Sequence, residues 1–283
     1  MDTIHLYQLP YDSGRRDWRA GRGPGHFLAH GLEDALRATG CQVRTSRIEV
    51  SDPALTETQT AFDLYRSLAG EVFPAVQAGE FPLVLSGNCG AALGGLAGAA
   101  GEHTGLVWLD AHGDFNTPET TVSGFLDGMG LAIAAGLCWR TVAGSIPHFR
   151  PLPGAHIVHV GSSDIETAEA GLMQAAGVRV IPATVLRAGG LVDALAPALE
   201  DLRQVVSQVY LHIDLDVLDA AQWPANQLSR YGGLKMAEVQ ELAGLLRRRF
   251  ELRGAGVASY DPDCDPQGST LQAGVEIMRA ICT

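Results

Sequence analysis

Short apolar runs recur along the chain, each followed by a longer stretch whose apolar residues fall at helical spacing. Brief apolar runs bounded by turn residues mark buried strands, and helical spacing marks helices packed against them. Residues 4–9 predict a first strand, 11–25 an Arg- and Gly-rich loop, and the next stretch a helix ending near Gly40. A strand over 43–50 follows, then a helix over about 57–79 that Pro74 is expected to kink or split. Residues 81–85 predict a third strand, stopped by Ser86-Gly-Asn-Cys-Gly90, and the small residues of 91–101 a close-packed helix. A strand over 104–109, a helix over 125–137 and a strand over 155–160 come next. Strands over 178–182, 208–214 and 256–259 complete the set, with helices near 191–204, 235–251 and 268–281. Such alternation predicts an α/β three-layer sandwich, a mostly parallel sheet of about eight strands covered on both faces. No repeat or linker divides residues 1–283, so one domain is expected.

Composition narrows the function classes. Apolar residues make up 46% and charged ones 18%, enough for a substantial core and too apolar for disorder. A net charge of −12 argues against nucleic acid or an anionic membrane as partner. No apolar run approaches the roughly 18 residues of a membrane span. The start, Met-Asp-Thr-Ile-His, shows neither half of a signal peptide. The five cysteines are scattered without a Cys-x-x-Cys pair, which fits a reducing, cytoplasmic setting. Lys235, the only lysine, sits at the start of a helical pattern and suggests no Schiff-base chemistry.

The chemistry concentrates where two predicted strands end. Strand 104–109 runs into Asp110-Ala-His-Gly-Asp-Phe-Asn-Thr-Pro118, and strand 208–214 into Asp214-Leu-Asp-Val-Leu-Asp219. Residues two apart on an extended chain point the same way, so Asp110, His112 and Asp114 converge, as do Asp214 and Asp216. Either cluster alone is compatible with helix caps and turns. Two carboxylate-rich clusters at strand ends together predict a divalent metal site, and a set poor in nitrogen suits a hard cation such as Mn2+. Ligands of parallel sheets bind at the carboxyl ends of the strands, where every one of these residues lies. His156 and His159 are expected to be core or sheet-face residues.

Asp110–Pro118, followed by Thr121-Val-Ser-Gly124, resembles the second signature of the arginase (ureohydrolase) family, and Asp214–Asp219 resembles the third. The matching motifs run in the family's order from residue 86 to 266. The resemblance implies an arginase-like fold holding two Mn2+ ions per chain. By the same resemblance Asp110 and Asp214 bridge the ions, Asp114 completes one shell, and His112 and Asp216 complete the other. Asn116, Thr121 and Ser123 match positions that bind a substrate α-carboxylate, although Asx and Ser/Thr turns would use the same residue types. Glu166 and Glu169 match acidic positions near the α-amino group. The Arg-rich loop 11–25 reads first as a solvated basic loop; in the family it lies near the site's mouth.

Three departures stand out. Gly-Gly-Asp-His of the family's first motif is Ser86-Gly-Asn-Cys89 here, so Cys89 replaces a His ligand with a softer donor. Asp127 stands where the family has a His that passes protons to the leaving amine, a role an Asp could fill only if burial raised its pKa. Ser259 stands where a Glu pairs with the guanidinium. The amino-acid grip is thus kept while the guanidinium grip is rebuilt. That pattern predicts an amidinohydrolase for a less basic arginine derivative, Nω-hydroxy-L-arginine, giving L-ornithine and hydroxyurea. The alternatives are an ordinary arginase or another guanidino-compound ureohydrolase, and a non-catalytic metal-binding protein on the same fold. The expected partner is a small guanidino amino acid, and a homo-oligomer stays open.

Overall fold

The structure, a computed structural model, describes residues 2–50 and 56–283. Among the described residues ten strands form: β1 (Thr3–Leu9), β2 (Tyr11–Asp12), β3 (Arg15–Arg16), β4 (Gln42–Arg47), β5 (Phe81–Ser86), β6 (Thr104–Leu109), β7 (Ile157–Val160), β8 (Arg179–Ile181), β9 (Gln208–Asp214) and β10 (Glu251–Ala258). Eight of them make one sheet in the order β4-β1-β5-β10-β9-β6-β7-β8, with parallel pairing throughout. This is the mostly parallel, eight-stranded α/β sheet covered on both faces that the alternation predicts.

Each strand feeds two cores because alternate side chains face opposite ways. Along β6, Val107 and Leu109 join the cluster beneath the helices Leu191–Val205, Met236–Arg249 and Ser269–Cys282. Leu106 and Trp108 join the other cluster, with residues of the helices Glu57–Gln77 and Ala92–Ala99. A Cβ at Gly98 would lie 2.6 Å from Val72 Cβ, so glycine is what lets those two helices meet this closely.

Several boundaries move. Pro74 sits in the last turn of the helix Glu57–Gln77, which continues past it unsplit. The helix expected to end near Gly40 is two, Gly23–Ala29 and Leu32–Arg37, parted at Gly31 (φ 84°). The stretch 125–137 holds a 3-10 turn, Asp127–Met129, and a short helix, Gly130–Ala134. β10 starts earlier than the expected residue 256 because its first residues pair with β9 across a register shift. The helices Thr167–Ala176 and Ala183–Gly189 were not legible as helical patterns. The loop 11–25 is more ordered than its composition suggests, holding the hairpin β2–β3 and a 3-10 turn, Arg19–Arg22. No helix among the described residues is long and apolar enough to cross a membrane.

Candidate metal centre and substrate cavity

Sheet order brings the motifs together. β5, β10, β9 and β6 are neighbours, and Ala258 lies in register with both Ser86 and Asp214, while Leu109 pairs with Ile213. The four strands therefore end side by side, presenting Ser86-Gly-Asn-Cys89, Ser259, Asp214 and Asp110 as one row.

Two tight donor groups result. Cys89, Asp110 and Asp214 form one, and Asp110, His112 and Asp216 the other, with donor atoms within 4.8 Å of one another in each. Asp110 belongs to both. Its Oδ2 accepts a hydrogen bond from Trp108 Nε1 at 3.0 Å, and its Oδ1 one from the His112 amide at 2.8 Å. His112 Nδ1 lies 3.5 Å from Asp110 Oδ1 and 3.3 Å from Asp216 Oδ2, while its buried Nε2 has no hydrogen-bond partner. Asn226 Nδ2 steadies Asp216 Oδ2 at 3.3 Å, and the Asp216 amide donates to Asp214 Oδ1 at 2.8 Å. Cys89 Sγ is 2.9 Å from Asp214 Oδ2 and 3.4 Å from Ser259 Oγ. Asp114 takes a left-handed backbone (φ 47°) and lines the same cavity outside both tight groups.

The charges of this cluster do not balance. Burial and the charge of Asp216 push Asp110 up to about 6, and burial with neighbouring carboxylates drives Asp114 and Asp214 well above the usual range. Cys89 is raised by burial and then by Asp214. Burial would lower His112, but Asp110 and Asp216 push it up to about 12 instead. It in turn holds Asp216 low against the effect of burial. One imidazolium thus faces four buried carboxylates. Buried charge of one sign is costly unless paired, and divalent cations on this oxygen-rich set would supply the missing positive charge. The residues fit a two-cation centre.

Around the centre lies a cavity of about 480 Å³, within the usual range of small-ligand sites. Its lining includes Cys89, His112, Asp114, Asn116, Thr121, Ser123, Asp127, Glu166, Glu169, Asp214, Asp216 and Ser259. The candidate site residues singled out in the sequence thus line one cavity, apart from Asp110, which joins its lining residues in both donor groups. Asn116 accepts from Thr120 Oγ1 at 2.9 Å and donates to Glu166 Oε2 at 3.3 Å. Thr121 and Ser123 hold their own loop, accepting from the amides of Gly124 and Phe125. Both Glu169 oxygens accept backbone amides, from Phe115 and Glu166, each at 3.0 Å. Asp127 is buried and accepts from Asn88 Nδ2, Cys89 N and Gly90 N; burial outweighs those bonds and raises it to about 7. Ser259 sits at φ 66°, a left-handed conformation that costs a non-glycine residue roughly 1–2 kcal/mol.

His159 is a core residue, as expected: it is fully buried and donates Nε2–H to the His112 carbonyl at 2.7 Å. The loop 11–25 corrects the solvated-loop reading. Arg15 and Arg16 are exposed, but Asp12, Arg19 and Ala20 line the cavity and Arg22 pairs with Asp261 at 3.0 Å. A Cβ on Gly87 would lie 2.4 Å from the Tyr11 carbonyl, so this loop rests directly on the first motif. Asp12, Asn226 and Arg230 are wall residues the sequence did not reveal, since none belongs to a spaced motif. Asn88, which lies in the Ser86–Cys89 motif but had no expected role of its own, lines the wall as well.

The chain matches the family model described as the Arginase family over residues 2–283. It is 27% identical over 296 residues to the arginase of Bacillus caldovelox, covering 99% of this chain and 98% of that one. A shorter match reaches 42% identity over 121 residues with the N(omega)-hydroxy-L-arginine amidinohydrolase of Streptomyces lavendulae, covering 43% of this chain and 39% of the relative. The solved structure of the Bacillus caldovelox arginase superposes with a TM-score of 0.90 at 26% identity, covering 100% of this chain and 98% of that one.

Proposed function

The chain belongs to the arginase family of metal-dependent hydrolases that act on guanidino C–N bonds, and from that premise we propose that it is a dinuclear manganese enzyme hydrolysing Nω-hydroxy-L-arginine to L-ornithine and hydroxyurea. Ser259 carries the reading. It stands at a strand end beside Cys89, where a carboxylate would pair with a guanidinium, and offers a hydroxyl instead. A hydroxyguanidine is far less basic than a guanidinium and loses little from that exchange. The match to a relative named for this activity supports the same substrate.

When bound, two Mn2+ ions would supply the activated water and the positive charge that the amidine carbon needs. Cys89, Asp110, His112, Asp114, Asp214 and Asp216 would hold them, Asp110 being shared by both donor groups. At the other end Asn116, Thr121 and Ser123 would hold the α-carboxylate, and Glu166 would meet the α-amino group. Glu169, whose oxygens serve backbone amides, would fix that wall in place. Residues 1–283 would act as one catalytic domain. A cytoplasmic setting would accord with five scattered cysteines that form no Cys-x-x-Cys pair.

The test is kcat/KM for Nω-hydroxy-L-arginine and L-arginine on the wild type and on Ser259→Glu. Leaving a desolvated cation without its carboxylate costs roughly 3–5 kcal/mol, about two to three and a half orders of magnitude. Wild type is expected to prefer the hydroxylated substrate by up to that margin, and the variant to shift toward L-arginine. Equal values on wild type, or a preference for L-arginine, would leave an ordinary arginase.

A further inference from the structure

Asp127 and the turn after β5 form a unit of their own. Gly90 donates its amide to Asp127 Oδ1 at 2.7 Å, and Cys89 N and Asn88 Nδ2 both donate to Oδ2, at 3.0 and 2.8 Å. Asn88 is used at both ends of its amide. Its Oδ1 accepts from Ser13 N at 2.8 Å, and its Nδ2 also lies 3.5 Å from Asp12 Oδ1. The amide nitrogen therefore stands between two carboxylates. An Asp at position 88 would set a third carboxylate against Asp12 and Asp127. A His at position 127 could not receive all three donors, since a neutral imidazole offers one acceptor and a charged one none. Asn88 and Asp127 thus suit each other and would each misfit the family's usual partner. Between them lies Cys89, its amide held by Asp127 and its sulfur reaching Asp214 and Ser259. The turn has little room to settle elsewhere, since a Cβ on Gly90 would lie 2.2 Å from the Tyr65 hydroxyl.

We propose that Asp127 is a positioning residue that clamps the turn at 88–90 and so aims Cys89 at the metal centre, in place of the proton-carrying role its location in the sequence suggests. Both carboxylate oxygens are turned to the protein's own donors. The inference rests on the dinuclear reading above and deepens it, because it ties three separate departures, at 88, 89 and 127, into one unit.

The experiment titrates Mn2+ into wild type, Asp127→Ala, Asp127→Asn and Asn88→Ala, reading metal bound per chain and then kcat at saturating Mn2+. Loss of an outer residue that orients a ligand weakens a metal site by roughly 10–100-fold. Asp127→Ala should show that loss for one of its two ions, with kcat returning to near the wild-type value once the metal is saturating. Asp127→Asn keeps a carbonyl acceptor and should fall between, and Asn88→Ala should move the same way by less. Should Asp127→Ala fail to fold, these two variants decide the matter alone. Wild-type metal affinity in the variants with kcat still depressed at saturating Mn2+ would overturn the clamp and return Asp127 to proton transfer. A wild type that binds fewer than two ions would remove the dinuclear reading itself, and the clamp with it, before any variant is compared.

Discussion

On the cavity floor Asp110, Asp214 and Asp216 are 1%, 5% and 2% exposed, whereas on the rim Val122, between Thr121 and Ser123, is 92% exposed and Tyr231, beside Arg230, is 82% exposed. The floor is built at the ends of strands paired on both sides, and its side chains are fixed by the sheet's ladder and by one another. The rim is built on loops that hold themselves with a few local bonds, such as Gly124 N to Thr121 Oγ1 and Phe125 N to Ser123 Oγ. Chemistry that needs donor atoms fixed to a fraction of an ångström sits on the rigid part. Recognition, which tolerates adjustment, sits on the loops. The two regions should therefore respond very differently to the loss of a single side chain.

The largest effect belongs to the floor. Asp110 is shared by both donor groups, so Asp110→Ala leaves each short of a ligand and His112 short of a partner. Removing one member of a buried charged set costs about 3–5 kcal/mol, or on the order of a hundred- to several thousandfold in affinity. Metal analysis after dialysis should find the variant largely stripped, with activity lost to match. A variant that kept two ions and measurable turnover would mean that the floor is not the metal centre.

That contrast also decides what could be read in the sequence. Asp110, His112, Asp114, Asp214 and Asp216 were legible as spaced ligand types just past apolar runs, although most of them lie beyond the strands themselves, Asp216 in the 3-10 turn Leu215–Val217 and Asp114 at a left-handed backbone. The sheet was legible because buried parallel strands are short, nearly uniform apolar runs. Asp12 and Arg230 reach the cavity through chain folding far from any motif, so no local pattern announces them. The helix Thr167–Ala176 was missed because its short run of Ala, Glu and Gln buries only Glu169 and Met173 and carries little apolar period. The clamp on Cys89 was out of reach for the reason that hid Asp12 and Arg230: Asp127 meets residues 88–90 only in three dimensions.

Within the floor, the two donor groups differ by one atom type, and that difference can be sharpened. Cys89 is a soft donor whose thiol pKa burial pushes up, while His112 offers a nitrogen already directed at Asp110 and Asp216. Manganese favours oxygen and imidazole over sulfur. Wild type should hold one ion less tightly than the other, and Cys89→His should tighten the weaker one by about tenfold in Kd, near 1.4 kcal/mol. Stepwise Mn2+ titration followed by electron paramagnetic resonance would resolve the two sites. Two equally tight ions in wild type, unchanged by the substitution, would show that Cys89 is not a ligand.

The smallest effect belongs to the rim. Thr121 Oγ1 accepts from Gly124 N and lies 3.5 Å from Ser123 Oγ, and its half-buried side chain faces the cavity beyond the metal ligands. A carboxylate bound here would gain a hydroxyl donor, and one such bond is worth about 0.5–1.5 kcal/mol net. Thr121→Ala should raise KM for an α-carboxylate substrate by about two- to twelvefold by that measure. Its kcat should stay near wild type, because the contact is the same in ground and transition states. Metal content should not move at all, since no donor group includes this residue. The comparison to make is with a guanidino substrate that lacks the carboxylate, such as agmatine. If it is turned over at all, its KM should be indifferent to the substitution. A fall in kcat with loss of metal would mean that the rim and the floor are one cooperative unit, and the division drawn between them would fail.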